Sequence, residues 1–258
     1  MSARAQDELR DLVEDYLDGL RFAPDLGDLA DVLRYSLAGG GKRIRPVVCL
    51  AVGEAVGCEP EALLPAAAAI ELVHTFSLVH DDLPGLDDDD VRRGRPSTHA
   101  RFGVGVGVIA GDALLAEGFR LALEYPTPAV ARELARATLG MIGGQHLDLV
   151  GGAADVLELS RLKTGRLFEA AVVCALEVAG VPERERAPWR GFAGELGLVF
   201  QLVDDLLDGD GFAAEHGGEE ARRAAGEAAE RALGHLDDTG SATAVLESVV
   251  TQLAARTA

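Results

Sequence analysis

Apolar residues recur at three- and four-residue spacing along almost the whole chain, and no alternating stretch of useful length interrupts them. That period lays one apolar stripe along a helix, whereas a half-buried strand needs a period of two. Ala and Leu, both strong helix formers, abound. Ala66 to Ile70 and Ala170 to Val173 are apolar all round, as in central helices packed on every side. Helices are expected near 4–20, 27–38, 42–57, 60–82, 97–123, 127–150, 155–179, 187–208, 217–237 and 241–256. Breaks are expected at Gly39-Gly40-Gly41, Gly57 to Pro60, Pro84-Gly85, Pro126, Gly151-Gly152, Gly180 to Pro182 and Gly209 to Gly211. The fold class that follows is all-α, a helix bundle. Without a Pro/Gly/Ser-rich linker or a clear internal repeat, residues 1–258 read as one domain.

Two aspartate-rich segments interrupt this apolar background. The first is Asp81-Asp82-Leu83-Pro84-Gly85-Leu86-Asp87-Asp88-Asp89-Asp90, and the second is Asp204-Asp205-Leu206-Leu207-Asp208. Carboxylates beside a core cost free energy unless compensated, and at a helix C-terminus they also meet the negative end of the dipole. Hard divalent cations shared with a substrate's phosphates are the natural compensation. His74 and Asp81 are seven apart and share a helical face; Asp204 and Asp208 are four apart and share another. Pro84 and Gly85 break the first helix, so that Asp87 can return beside Asp81. The two clusters read as facing halves of one Mg²⁺–diphosphate site, with Asp88 to Asp90 also compatible with a solvated acidic loop.

The formal charge is −19, which argues against nucleic acid or an anionic membrane surface as partner. An anionic substrate then needs a local basic pocket or metal ions. Only two lysines occur, Lys42 and Lys163, so the position of each is informative. Gly40-Gly41-Lys42-Arg43-Ile44-Arg45-Pro46 forms a turn leading into a helix, suited to a diphosphate or equally to a plain helix–helix turn with exposed charge. Arg92 and Arg93 follow the first acidic cluster, either as a phosphate clamp or as charge balance. Lys163-Thr164-Gly165 interrupts an apolar helix. The cysteines Cys49, Cys58 and Cys174 have no metal-like spacing, and their odd number suits a reducing compartment. The polar N-terminus does not read as a signal peptide and no uncharged apolar run reaches membrane-spanning length, so a cytoplasmic location is expected.

These residues together resemble the trans-isoprenyl diphosphate synthases, the polyprenyl synthetase family that includes farnesyl and geranylgeranyl diphosphate synthases. Asp81 to Asp90 with Arg92-Arg93-Gly94-Arg95-Pro96-Ser97-Thr98-His99 is similar to the family's first aspartate motif, and Gly40 to Pro46 to its homoallylic-substrate motif. Leu72-Val73-His74, Gly111-Asp112-Ala113-Leu114-Leu115, Gly143-Gly144-Gln145, Lys163-Thr164-Gly165 and Phe200-Gln201-Leu202-Val203-Asp204-Asp205 follow in the family's order. The resemblance implies an antiparallel bundle around a deep cavity, the isoprenoid synthase fold, usually as a homodimer. It implies three Mg²⁺ ions, two held by Asp81 and Asp87 and the third by Asp204 with Asp208 in support. Arg92, Lys163 and Gln201 are expected on the allylic diphosphate and Thr164 at the reacting end; Lys42, Arg45, His74 and Arg93 are expected on isopentenyl diphosphate. Phe76, with Ser77 beside it, lies five residues before Asp81, about 7.5 Å down a helix, and is the expected floor that stops the growing chain. The implied product is farnesyl diphosphate, with geranylgeranyl diphosphate next.

The chain departs from the family after Asp208. Where relatives carry lysines in a longer loop, Gly209 to Glu220 is short and contains none. Arg222 and Arg223 on the following helix are the candidate replacements. Two other readings therefore stand beside the prenyltransferase: a class I terpene cyclase, which is a lyase, and a non-catalytic subunit that modulates a synthase. The first calls for a second metal motif with spaced Asn or Asp, Ser and Glu, and none follows residue 190.

Overall fold

The computed structural model describes residues 4–38, 40–151 and 155–257. Of the sequence expectations, those for Met1 to Ala3, Gly39 and Gly152 fall outside that range. The chain runs α1 (Gln6–Asp18), α2 (Leu29–Leu37), α3 (Ile44–Ala55), α4 (Pro60–Asp81), a small ladder of β1 (Val91–Arg92) with β2 (Arg95–Pro96), α5 (Thr98–Phe102), α6 (Val104–Ala122) and α7 (Ala129–Leu149). It continues through α8 (Val156–Ser160), a π-turn over Arg161–Gly165, α9 (Arg166–Val178), α10 (Ala187–Asp208), α11 (Gly211–His216), α12 (Gly218–Asp237) and α13 (Ala244–Ala254). The fold is all-α, as the periodicity predicts.

α4 and α9 form the centre. α4 packs on α3, α6 and α9, and α10 packs on α9 and α12. Every residue from Ala66 to Val73 and from Ala170 to Leu176 is buried, which explains why those stretches need no polar face. Complete burial of side chains such as Ile70, Leu72 and Phe168 contributes roughly 1.5–3 kcal/mol each. By length and composition α4 is apolar enough to cross a bilayer, but most of it is enclosed by its neighbours, as in a core helix.

Helix ends follow local chemistry. α10 begins with proline in its first turn and stops at Gly209, whose left-handed φ of 73° lets the chain turn without a Cβ clash. One helix expected over 97–123 is two, because Gly103 at φ 94° separates α5 from α6. The shortened segment after Asp208 is not plain loop but contains α11. The π-turn and α10 approach so closely at Gly165 and Gly197 that a Cβ on Gly197 would lie 2.9 Å from the Gly165 Cα.

Candidate active site

α4 ends at Asp81, and the following turn folds back as the Pro84-Gly85 break predicts. The Asp87 amide donates to the Asp81 carbonyl at 2.9 Å, and the Asp89 amide donates to that of Asp82 at 3.1 Å. Asp81 is half-buried and Asp87 exposed. Burial pushes the Asp81 carboxyl up to about 6, with Lys163 opposing that rise and Asp87 adding to it. Asp82 behaves differently. It is buried and takes Arg92 Nε at 2.6 Å on its Oδ1, so the Arg92 guanidinium is engaged with the acidic cluster itself.

Arg93 sits between β1 and β2 at φ 52° and donates from Nη1 to the Gly40 carbonyl at 2.5 Å. The first aspartate segment is thereby tied to the glycine turn before α3. The three cations around that turn have separate fates. Arg43 is buried and structural, with Nε 2.9 Å from Glu14, Nη1 2.5 Å from Glu71 and Nη2 2.7 Å from the Leu37 carbonyl. Arg45 is buried with its guanidinium carbon 4.6 Å from the Phe168 ring centroid and 5.2 Å from that of Phe200, and its Nε has no hydrogen-bond partner among the described residues. Lys42 is exposed and opens onto a cleft shared with Arg10 and Arg256. His74 is half-buried, and burial together with the positive field of Arg45, Arg93, Arg43 and Arg92 holds it well below its ordinary range, hence neutral.

α10 presents Asp204, half-buried, and Asp208 at its exposed end. Burial pushes the Asp204 carboxyl up; Arg256 pulls it down, Asp208 pushes it up, and Arg45 and Lys42 pull it down. Arg256 Nη1 lies 3.8 Å from Asp204 Oδ1, a contact no sequence signal announces. The π-turn between α8 and α9 carries Lys163 and Thr164; such turns are frequent at functional sites. Lys163 Nζ lies 2.5 Å from Asp148 Oδ2, and Thr164 Oγ1 donates to Gln201 Oε1 at 2.7 Å. A cavity of about 490 Å³ opens here, lined by Asp148, Lys163, Thr164 and Gln201 and by Asp210 and Glu215 of the α11 segment. Among the expected floor residues, Phe76 is buried edge-on against His80 at 5.0 Å between centroids, and Ser77 Oγ donates to the His74 carbonyl at 2.9 Å.

Each acidic cluster thus lies in the field of nearby cations, Lys163 acting on Asp81, and Arg45 and Lys42 acting on Asp204. Oxygen-only donors made costly by burial suit a hard divalent cation. No group of three or more metal-binding side chains is already assembled among the described residues, so such an ion would complete its shell with substrate oxygens and water. The donor set fits Mg²⁺ on those terms. Of the candidate replacements for the missing lysines, Arg223 is turned away onto its own helix, paired with Glu220 and Glu227.

The family model described as polyprenyl synthetase matches residues 27–221. The chain belongs to the polyprenyl synthetase family. Geranylgeranyl diphosphate synthase of Cyanophora paradoxa is 39% identical over 216 residues, covering 78% of this chain and 72% of that protein. Farnesyl diphosphate synthase of Geobacillus stearothermophilus is 40% identical over 199 residues, covering 71% and 67%. A geranyltransferase structure from Legionella pneumophila superposes with a TM-score of 0.88 at 32% identity, over 97% of this chain and 96% of that one. The match to geranylgeranyl pyrophosphate synthase 7 of Arabidopsis thaliana spans little more than half of that protein, 56% of its length. Within the polyprenyl synthetase family this chain is a prenyltransferase with the family's helical fold.

Proposed function

We propose that the protein condenses isopentenyl diphosphate with an allylic diphosphate, as a short-chain trans-prenyltransferase. The observation that supports this is a pair of half-buried aspartates, Asp81 and Asp204, each toward the C-terminal end of a core helix and each within the field of nearby cations, beside a cavity lined by Lys163, Thr164 and Gln201. Asp81 and Asp87 would hold two Mg²⁺ ions and Asp204, with Asp208, a third. When bound, those ions neutralise the diphosphate leaving group as its C–O bond breaks.

The chain's own residues do the rest. Lys163 places a cation beside Asp81 on the allylic side, with Arg92 and Gln201 completing the diphosphate's contacts. Arg45, Arg93 and Lys42 hold isopentenyl diphosphate; the Arg45 Nε, buried and without a partner among the described residues, is the donor most in need of an anionic acceptor. His74 stays neutral among the arginines and can donate or accept without adding charge. Holding both substrates in one pocket converts their encounter into a near-unimolecular step. Exclusion of water from that pocket would protect the allylic cation.

Phe76, buried behind the first cluster, supports farnesyl diphosphate as the main product. The name of the Cyanophora relative supports the second reading, geranylgeranyl diphosphate. The exposed apolar side chains Val104, Val108 and Ile109 on α6 and Leu139 and Ile142 on α7 support a second copy of the chain as partner, a homodimer. A subunit role also has support, since one relative, 44% identical, is named the large subunit of a heterodimeric synthase. The free Cys49, Cys58 and Cys174 suit a reducing compartment such as the cytoplasm. The deciding experiment incubates the protein with Mg²⁺, isopentenyl diphosphate and an allylic diphosphate and weighs the products. Chain-elongated diphosphate supports the transferase. A cyclic hydrocarbon from the allylic substrate alone would mark a cyclase, and no product would mark a subunit.

A further inference from the structure

Asp205, next to Asp204 on α10, is 3% exposed and points elsewhere. Its Oδ1 accepts from Gln201 Nε2 at 2.6 Å, and its Oδ2 accepts from the Phe212 amide of α11 at 2.9 Å. Gly211, at φ 47°, lets the α11 backbone come this close, since a Cβ there would lie 2.5 Å from Asp205 Oδ2. The Asp205 carbonyl also takes the Gly209 amide at 2.9 Å and the Asp210 amide at 3.2 Å. Both ends of one residue therefore seat the lysine-free α11 segment.

The same carboxylate imposes a direction on the hydrogen bonds that lead to the cavity. An ionised carboxylate only accepts. The nitrogen of the Gln201 amide must then face Asp205, its oxygen must face Thr164, and the Thr164 hydroxyl must give its one proton to that oxygen, as it does at 2.7 Å. The lone pairs of Thr164 are left toward the cavity that its side chain lines. We propose that Asp205 is a positioning residue: acting through Gln201, it fixes the Thr164 hydroxyl with its oxygen lone pairs, not its proton, toward the electron-poor allylic carbon, and it makes that orientation depend on a seated α11. This rests on the prenyl-transfer reading above. A hydroxyl proton aimed at a developing cation would raise the barrier, whereas lone pairs lower it.

Two substitutions reverse and then restore the direction. Asp205→Asn can keep its oxygen on the Phe212 amide while its NH₂ faces Gln201. The Gln201 amide then flips, and Thr164 becomes an acceptor with its proton toward the cavity. The number of bonds is conserved, but their direction is inverted. Gln201→Glu alone sets two carboxylates against each other. In the double variant, the introduced amide donates to the introduced carboxylate and Thr164 again gives up its proton, so the original direction returns. Steady-state kinetics and thermal melts on the four proteins test this. Asp205→Asn is expected to melt close to wild type yet lose about ten- to a hundred-fold in kcat, with the allylic KM changed less than about three-fold. The double variant is expected to turn over at least about ten-fold faster than the product of the two single losses. Full kcat in Asp205→Asn, or a double variant as slow as the product of the two single losses, overturns the proposal. Wild-type protein without turnover overturns it together with the prenyl-transfer reading; wild-type turnover without rescue overturns the proposal alone.

Discussion

Arg92 sets both Nε, at 2.6 Å, and Nη2, at 2.5 Å, on the same oxygen of Asp82. The first acidic cluster is thereby divided. Asp82 is neutralised inside the protein and holds the β-ladder segment against the end of α4, while Asp81 and Asp87 have no such partner among the described residues.

Substitutions in the two parts should therefore fail differently. Asp81→Ala and Asp204→Ala are expected to lower turnover by about a thousand-fold or more and to melt near the wild-type temperature in a chelator. Both should lose the thermal stabilisation that Mg²⁺ with inorganic diphosphate gives the wild type. Asp82→Ala strands a half-buried guanidinium and is expected to cost about 1–3 kcal/mol of stability. Calorimetric melts with and without Mg²⁺-diphosphate separate the two classes, and near-normal turnover in either metal variant would contradict the assignment.

Acid–base behaviour supplies a second check. The Asp81 carboxyl titrates near 6 in the folded chain, above the ordinary value of 3.8. A raised carboxyl contributes stability that is full below its unfolded value and is lost as pH rises through the folded one. In a chelator, the wild type should therefore lose a few degrees more than Asp81→Asn between about pH 4.5 and 7.5. Mg²⁺ binds the ionised form, so turnover at limiting Mg²⁺ should fall as pH drops below about 6, and added Mg²⁺ should restore part of it. Parallel melting curves for the two proteins across this window would remove Asp81 as the titrating group.

Much of this arrangement is legible in the chain because it is local. α10 matches its expected bounds since a first-turn proline and Gly209 mark them, and Pro84 with Gly85 announces the fold-back that joins Asp87 to Asp81. Other features depend on distant partners. Arg43 resembles a ligand cation in sequence, yet Glu14 and Glu71, from two other helices, claim it. α11 is too short for a periodic signal and lies between glycines, and its anchor, Asp205, reads as part of a metal motif. The four-residue interval between Gln201 and Asp205 was the available clue to their bond. Arg256 reaches Asp204 from the far end of the chain, which no spacing encodes.

The lysine-free α11 segment shifts charge neutralisation onto metal. Retention of an allylic diphosphate analogue should depend more steeply on Mg²⁺ here than in a relative that keeps the lysines, as titrations followed by calorimetry would reveal. Tight retention in a chelator would count against it. Arg223, engaged with Glu220 and Glu227 on an exposed face, should be replaceable by alanine with unchanged turnover and little change in melting temperature.

Product length is expected to follow Phe76. Phe76→Ala should lengthen the main product by at least one isoprene unit, read by mass analysis. Removing a buried ring that packs on His80 should also cost about 3–5 kcal/mol, so the assay belongs well below the melting temperature. An unchanged product in an active variant would place the floor elsewhere.

The contact of Gly165 with Gly197 has a consequence for how this pocket can evolve. The π-turn that displays Lys163 and Thr164 rests directly on α10, backbone against backbone, one turn before Gln201. The reach of Thr164 to Gln201 is therefore gauged by two hydrogens where side chains would otherwise stand. Alanine at 197, the smallest change a codon can make there, would act as a wedge, prying the hydroxyl from its acceptor while leaving every polar residue of the pocket in the sequence. Loss of function in this lineage can thus begin at a position that carries no chemistry.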